Sequence, residues 1–121
     1  MTGLVAVAVL GAAGAVARFR LDGFLRPLLR ADLPLPTLVI NVAGSLAIGL
    51  ITGLGARGLP ETAHAAAATG FCGGFTTMSA ASFEVVRLVE RGERARAALS
   101  CVGMLVLCCG AAAVGLAISG G

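Results

Sequence analysis

The chain has 121 residues, of which 58 % are hydrophobic and 12 % charged, with a mean hydropathy of +0.98; a soluble domain of this length carries about twice that charged fraction. Its net charge of +3 comes entirely from arginine, since there is no lysine. No basic stripe interleaved with aromatics exists, so nucleic acid is excluded as a partner and the charge is read as membrane topology. One all-α membrane domain is what this composition supports.

Taken in order, the chain predicts four spans, at about 3–21, 37–55, 65–89 and 97–118, since a crossing helix needs about 20 residues. The first is the apolar run Leu4 to Ala17, extended to Leu21 if Arg18 and Arg20 reach water, with Gly11 and Gly14 giving it a face of small residues. The first basic residue follows this run instead of preceding it, which argues against a signal peptide. The stretch Arg20 to Pro36 is polar and punctuated by proline, and reads as a loop with room for a short interfacial helix over Asp22 to Leu29.

In the second span the strongly polar residue is Asn41. Helical steps of three and four place Asn41, Gly44, Ser45, Ile48, Gly49, Thr52 and Gly53 on one thin polar face. Such a face packs closely and presents hydrogen-bond donors, so Asn41 reads either as a ligand to something in the membrane or as an interhelical bond. His64, in the short loop that follows, reads as a solvated or capping residue.

The third span carries the stretch Thr69-Gly70-Phe71-Cys72-Gly73-Gly74-Phe75-Thr76-Thr77-Met78-Ser79. Paired glycines and clustered hydroxyls inside an apolar segment predict a break there, with an unwound Gly-Gly-Phe-Thr whose carbonyls face inward. Broken helices at membrane depth mark ion and substrate sites. Glu84 and Arg87, near the end of the span, have the spacing of a surface ion pair. After a charged turn, the fourth span sets Ser100, Cys101, Met104, Cys108, Ala111 and Gly115 along one stripe. The four cysteines, Cys72, Cys101, Cys108 and Cys109, fall inside apolar segments without metal-ligand spacing and read as small packing residues.

No nucleophile is paired with a base, no carboxylates are paired, and no phosphate-cradling loop precedes a lysine, so the sequence does not read as an enzyme. The groups inside the membrane are neutral donors: Asn41, Ser45, Thr76, Thr77 and Ser79 can present amide or hydroxyl protons to an anion. Inward carbonyls at the break suit a bound cation instead.

Three stretches, Gly11-x-x-Gly14-Ala15-x-x-Arg18, Pro36-Thr37-Leu38-Val39-Ile40-Asn41-Val42-Ala43-Gly44-Ser45 and Gly70-Phe71-Cys72-Gly73-Gly74-Phe75-Thr76-Thr77-x-Ser79, resemble the signature segments of the Fluc (CrcB) fluoride channels. The resemblance reaches across all four spans. It implies an antiparallel dual-pore dimer of two four-span subunits, the third span broken mid-membrane, that lowers cytoplasmic fluoride by passive export. By position, it implies that Asn41 lines the fluoride path, that Thr77 and Ser79 add hydroxyl donors, and that Arg18 stands near the pore vestibule. It further implies that Gly73 and Thr76 give main-chain carbonyls to a central sodium ion, structural and not transported. The partners so implied are fluoride, membrane lipid, and a second subunit that is either a paralogue or another copy of this chain.

The pattern departs from the family in two places, one of them the fourth span, where the family's tyrosine and serine track is reduced to Ser100, Cys101 and Cys108. Where the family reads T-T-F-S-T-F, this chain reads Thr76-Thr77-Met78-Ser79-Ala80-Ala81, so both phenylalanines whose ring edges face fluoride are absent. Family members that work as heterodimers of oppositely oriented paralogues offer one reading of this loss; a dual-topology homodimer is the other. A small multidrug exporter calls for a glutamate in the first span, where there is none, and a non-transporting scaffold leaves Asn41 and the broken span without a purpose.

Arginine supports a fixed orientation. Arg18, Arg20, Arg26 and Arg30 follow the first span and Arg87, Arg91, Arg94 and Arg96 flank the turn after the third, whereas Arg57 alone lies on the other side. The positive-inside rule then puts loops one and three in the cytoplasm and both termini outside a bacterial inner (plasma) membrane.

Overall fold

The structure, a computed structural model, describes residues 2–29 and 34–120. The chain forms α1 (Thr2–Leu28), α2 (Leu35–Ala56), α3 (Glu61–Ala65), a π-helical stretch (Ala66–Cys72), α4 (Gly73–Phe75), α5 (Met78–Glu90) and α6 (Arg94–Gly120); the described residues contain no strand. Three helices, α1, α2 and α6, are long and apolar enough to cross a membrane. A bent fourth helical segment is built from two pieces, 61–75 and 78–90, that meet at Thr76 and Thr77.

Helix α1 continues through Leu28, beyond the expected span and through the stretch read as loop. Asp22 and Arg26 form an ion pair of 2.8 Å at i,i+4, in the orientation that supports a helix, and Pro27 comes only one residue before the end. Arg30 and Asp32, part of the arginine and loop readings above, lie outside the described residues. Helix α2 starts with prolines at 34 and 36, where the first turn has no helical partner for a proline N–H to miss. Two tight turns use left-handed glycines, Gly58 at φ 110° and Gly92 at φ 80°, conformations costly to a residue with a Cβ.

The bundle is held by two parallel seams of small residues. In one, α1 lies against the first half of the broken span: a Cβ on Gly14 would collide with the Phe71 carbonyl, one on Gly74 with the Gly11 carbonyl, and one on Gly70 would sit 2.9 Å from Val7 O. In the other, α2 lies against α6, with Gly49 on Ala112, Gly115 on Leu46 and Gly53 on Ser119. Ser119 Oγ donates to Gly115 O at 2.8 Å and Gly49 O at 3.3 Å. Apolar side chains on α1 and α6, among them Leu4, Phe19, Leu105 and Ile118, point outward and are exposed. That is the inverse of a water-soluble core; where lipid is as apolar as leucine, close backbone contact through small residues supplies the packing.

The face predicted for α2 divides in the structure. Asn41, Gly44, Gly49 and Gly53 are buried, as are Thr37 and Ile40, which the predicted set did not include, whereas Ser45 and Ile48 are half-buried and Thr52 is exposed. The buried set follows the close approaches to α6 and to the break.

Candidate functional site: the broken third span and Asn41

The helix does not break at its glycines. Gly73 keeps helical angles of φ −62° and ψ −40°, and the chain turns extended at Thr76 (φ −83°, ψ 158°) and Thr77 (φ −147°, ψ 114°). The expected unwinding of Gly-Gly-Phe-Thr is thus corrected to the two threonines. β-Branched residues favour extended backbone, and the glycines serve another need: Gly70 and Gly74 let α1 approach at backbone distance. The π-helical stretch Ala66–Cys72, one turn before the break and a form concentrated at functional sites, was not anticipated from sequence.

An extended residue presents its own N–H and C=O on the same side, as in a β-strand. Asn41 reads both: its Oδ1 accepts from the Thr77 N–H at 2.9 Å and its Nδ2 donates to Thr77 O at 3.0 Å. The carboxamide therefore stands in for a neighbouring strand. With Asn41 only 8 % exposed, this pair satisfies two backbone groups that a break in lipid would otherwise leave unpaired. Gly44, one turn along α2, makes the approach possible, since a Cβ there would collide with Thr76 Cγ2.

Two carbonyls lose their helical donors in consequence. Gly73 O would accept from the Thr77 N–H in a continuous helix, but that N–H donates to Asn41. Thr76 O would accept from the Ala80 N–H, which donates instead to Thr77 Oγ1 at 3.2 Å, capping α5. Nothing lies within 4 Å of a Cβ built on Gly73, so the helix face at Gly73 is not packed against a neighbouring element. The hydroxyls follow a similar arithmetic. Thr77 Oγ1 and Ser79 Oγ are 3.2 Å apart; one proton is used between them and the other is left to donate outward. Thr76 Oγ1 turns back to donate to Cys72 O at 2.9 Å.

Asn41, Thr76, Thr77, Ser79 and Gly73 are therefore brought to one break. Arg18 stands one turn beyond Gly14 on α1, and no hydrogen bond or ion pair joins it to this cluster among the described residues. Met78 is 80 % exposed and faces away from the bundle, whereas Ala81 is buried at 8 %. Phe75 stacks with Phe71, ring centroids 5.9 Å apart.

Two participants escaped the sequence reading. Thr37 Oγ1, buried, donates a short hydrogen bond to Glu84 Oε1, pinning α5 to the start of α2. Arg87 lies over the Phe83 ring at 5.9 Å, and no ion pair joins it to Glu84 among the described residues; the i,i+3 spacing carries no information about a partner 47 positions away. Met104, read only as part of a stripe on the fourth span, places its Sδ 3.6 Å from Asn41 Nδ2.

The chain matches the family described as CrcB-like protein, Camphor Resistance (CrcB), over residues 5–116. It is 49 % identical to Fluoride-specific ion channel FluC 1 of Leifsonia xyli subsp. xyli, over 99 % of this chain and 90 % of that protein. It is 46 % identical to Fluoride-specific ion channel FluC 2 of Cutibacterium acnes, over 93 % of each chain. Fluoride-specific ion channel FluC of Nitrobacter winogradskyi is 43 % identical, over 97 % of this chain and 94 % of that one.

Proposed function

The chain belongs to the CrcB family of membrane proteins, and on that premise we propose that it is a subunit of a fluoride-selective channel, not an enzyme, that lets fluoride leave the cytoplasm passively. The observation that carries the proposal is the carboxamide of Asn41 beside the Thr77 and Ser79 hydroxyls at a helix break. Fluoride is small and strongly hydrated, and moving a bare ion into low dielectric costs tens of kcal/mol. A path for it must replace its water with N–H and O–H donors, and neutral donors are what this break offers. Arg18 would stand at the mouth and raise the local anion concentration.

The subunit pairs with a second one in antiparallel orientation. A paralogue of opposite orientation is favoured by a specific observation: the arginines are distributed eight to one, which supports a single topology, and Met78 and Ala81 supply no ring edges. The sodium site is proposed at the C-terminal end of α4. The Gly73 and Thr76 carbonyls, deprived of their helical donors, are neutral oxygens of the kind a monovalent cation takes. Two antiparallel subunits would contribute four of them, and a bound cation would hold the two breaks together.

The test is fluoride efflux from liposomes containing this chain, alone and co-expressed with a paralogue that keeps both phenylalanines. Activity that is low alone, restored by the partner and abolished there by Asn41→Leu in this chain's pore supports the reading. Fluoride efflux absent from every combination would refute it, and fast selective efflux from this chain alone would refute the heterodimer.

A further inference from the structure

The carboxamide of Asn41 has two N–H hydrogens and one acceptor oxygen. The paired contact with Thr77 uses the oxygen and the hydrogen on the same side of the amide. The second hydrogen is the one left for an anion, and in the structure it is occupied: Met104 Sδ of α6 lies 3.6 Å from Nδ2. A thioether is a weak acceptor, and methionine, with three rotatable bonds, is the most adaptable of the apolar side chains. Met104 is half-buried, so it has somewhere to go.

We propose that Met104 is a displaceable stopper and a specificity-determining residue of the anion path: at rest its thioether covers the free amide hydrogen of Asn41, and an anion must push it aside to bind. This rests on the reading of Asn41 as a fluoride donor. The arrangement has two physical consequences. The Asn41 amide keeps no unsatisfied donor in the membrane when no ion is present, which matters because such a donor is costly there. An ion also binds only if it is a better acceptor than sulfur, which favours a small, charge-dense anion. Every crossing must displace one weak hydrogen bond, so flux through this subunit is lowered relative to a pore with a small residue at this position.

The experiment compares the parent chain, Met104→Ala, Met104→Ser and Asn41→Leu, each reconstituted with the same partner subunit, by fluoride efflux at low fluoride. Met104→Ala and Met104→Ser should conduct about twofold faster than the parent, the worth of one net hydrogen bond at the weak end of the range. Alongside, NMR of the unsubstituted protein in micelles follows the Asn41 side-chain amide and the Met104 methyl during a sodium fluoride titration. Both signals should shift with one half-saturation point, and the Asn41 shift should saturate at about twofold lower fluoride in Met104→Ala, by the same hydrogen-bond arithmetic. If Asn41→Leu is silent while both Met104 variants conduct at the parent rate, or if the amide moves and the methyl does not, Met104 is packing and the stopper is overturned. If Asn41→Leu conducts like the parent, or neither signal moves, the fluoride role of Asn41 is overturned and the stopper with it.

Discussion

Asn41→Leu should loosen the break itself, apart from any effect on an ion. The substitution removes bonds of 2.9 and 3.0 Å and leaves the Thr77 N–H and C=O facing an apolar side chain. Each buried group without a partner costs about 1–3 kcal/mol, giving about 2–6 kcal/mol for the two. Membrane hydrogen bonds measure lower, about 0.6 kcal/mol on average, because the unfolded chain in lipid finds partners too; the expected loss is therefore at the low end, about 2 kcal/mol. Asn41→Asp separates the two halves of the pair. A carboxylate oxygen still accepts from the Thr77 N–H, but its fellow faces the Thr77 carbonyl with no proton between them, so Asp should be at least as harmful as Leu despite its similar shape. The assay is hydrogen exchange at the Thr77 amide in detergent or nanodiscs, together with the thermal unfolding midpoint. A loss of about 2 kcal/mol is a drop in protection of more than tenfold, since 1.4 kcal/mol is one factor of ten. Unchanged Thr77 exchange in Asn41→Leu would mean that the carboxamide does not hold the break, and the account of its geometry would fail.

Three further outcomes follow from the same structure. Gly74→Ala should destabilise the assembled protein by about 1–3 kcal/mol, read from the unfolding midpoint, because its Cβ meets the Gly11 carbonyl and two backbones must separate; an unchanged midpoint would refute the α1 seam. Met78→Phe should be accepted without loss of stability, since position 78 is open, whereas Ala81→Phe should cost about 1–3 kcal/mol unless α5 shifts, because Ala81 is buried; equal expression and midpoints for the two would contradict this asymmetry. Reporter fusions at the C-terminus should give an outside signal only, from the eight-to-one arginine bias; comparable populations on both sides would restore dual topology.

The chemical nature of the chain was decided by sequence. Hydropathy and charge identify a membrane domain because a residue's transfer cost depends on its own side chain, and helical periodicity put Asn41 with Gly44, Gly49 and Gly53 because that geometry is local. The order of the three motifs was enough to indicate the family, later matched over residues 5–116. What sequence could not decide was which backbone groups go unpaired and what answers them. The glycines marked the region of the break but not its residue: both Gly73 and Thr76 can leave a helix, and the break fell on the threonines, where Asn41, 36 positions away, meets Thr77, while Gly70 and Gly74 on either side of Gly73 serve as the contact surface for α1. The Thr37 bond to Glu84 and the thioether of Met104 over the Asn41 amide have no local signature either, for they join α2 to α5 and α6 across 47 and 63 positions. In lipid an unpaired polar group has no water to fall back on, so the tertiary fold had to supply each partner, and only the fold could say which one it used.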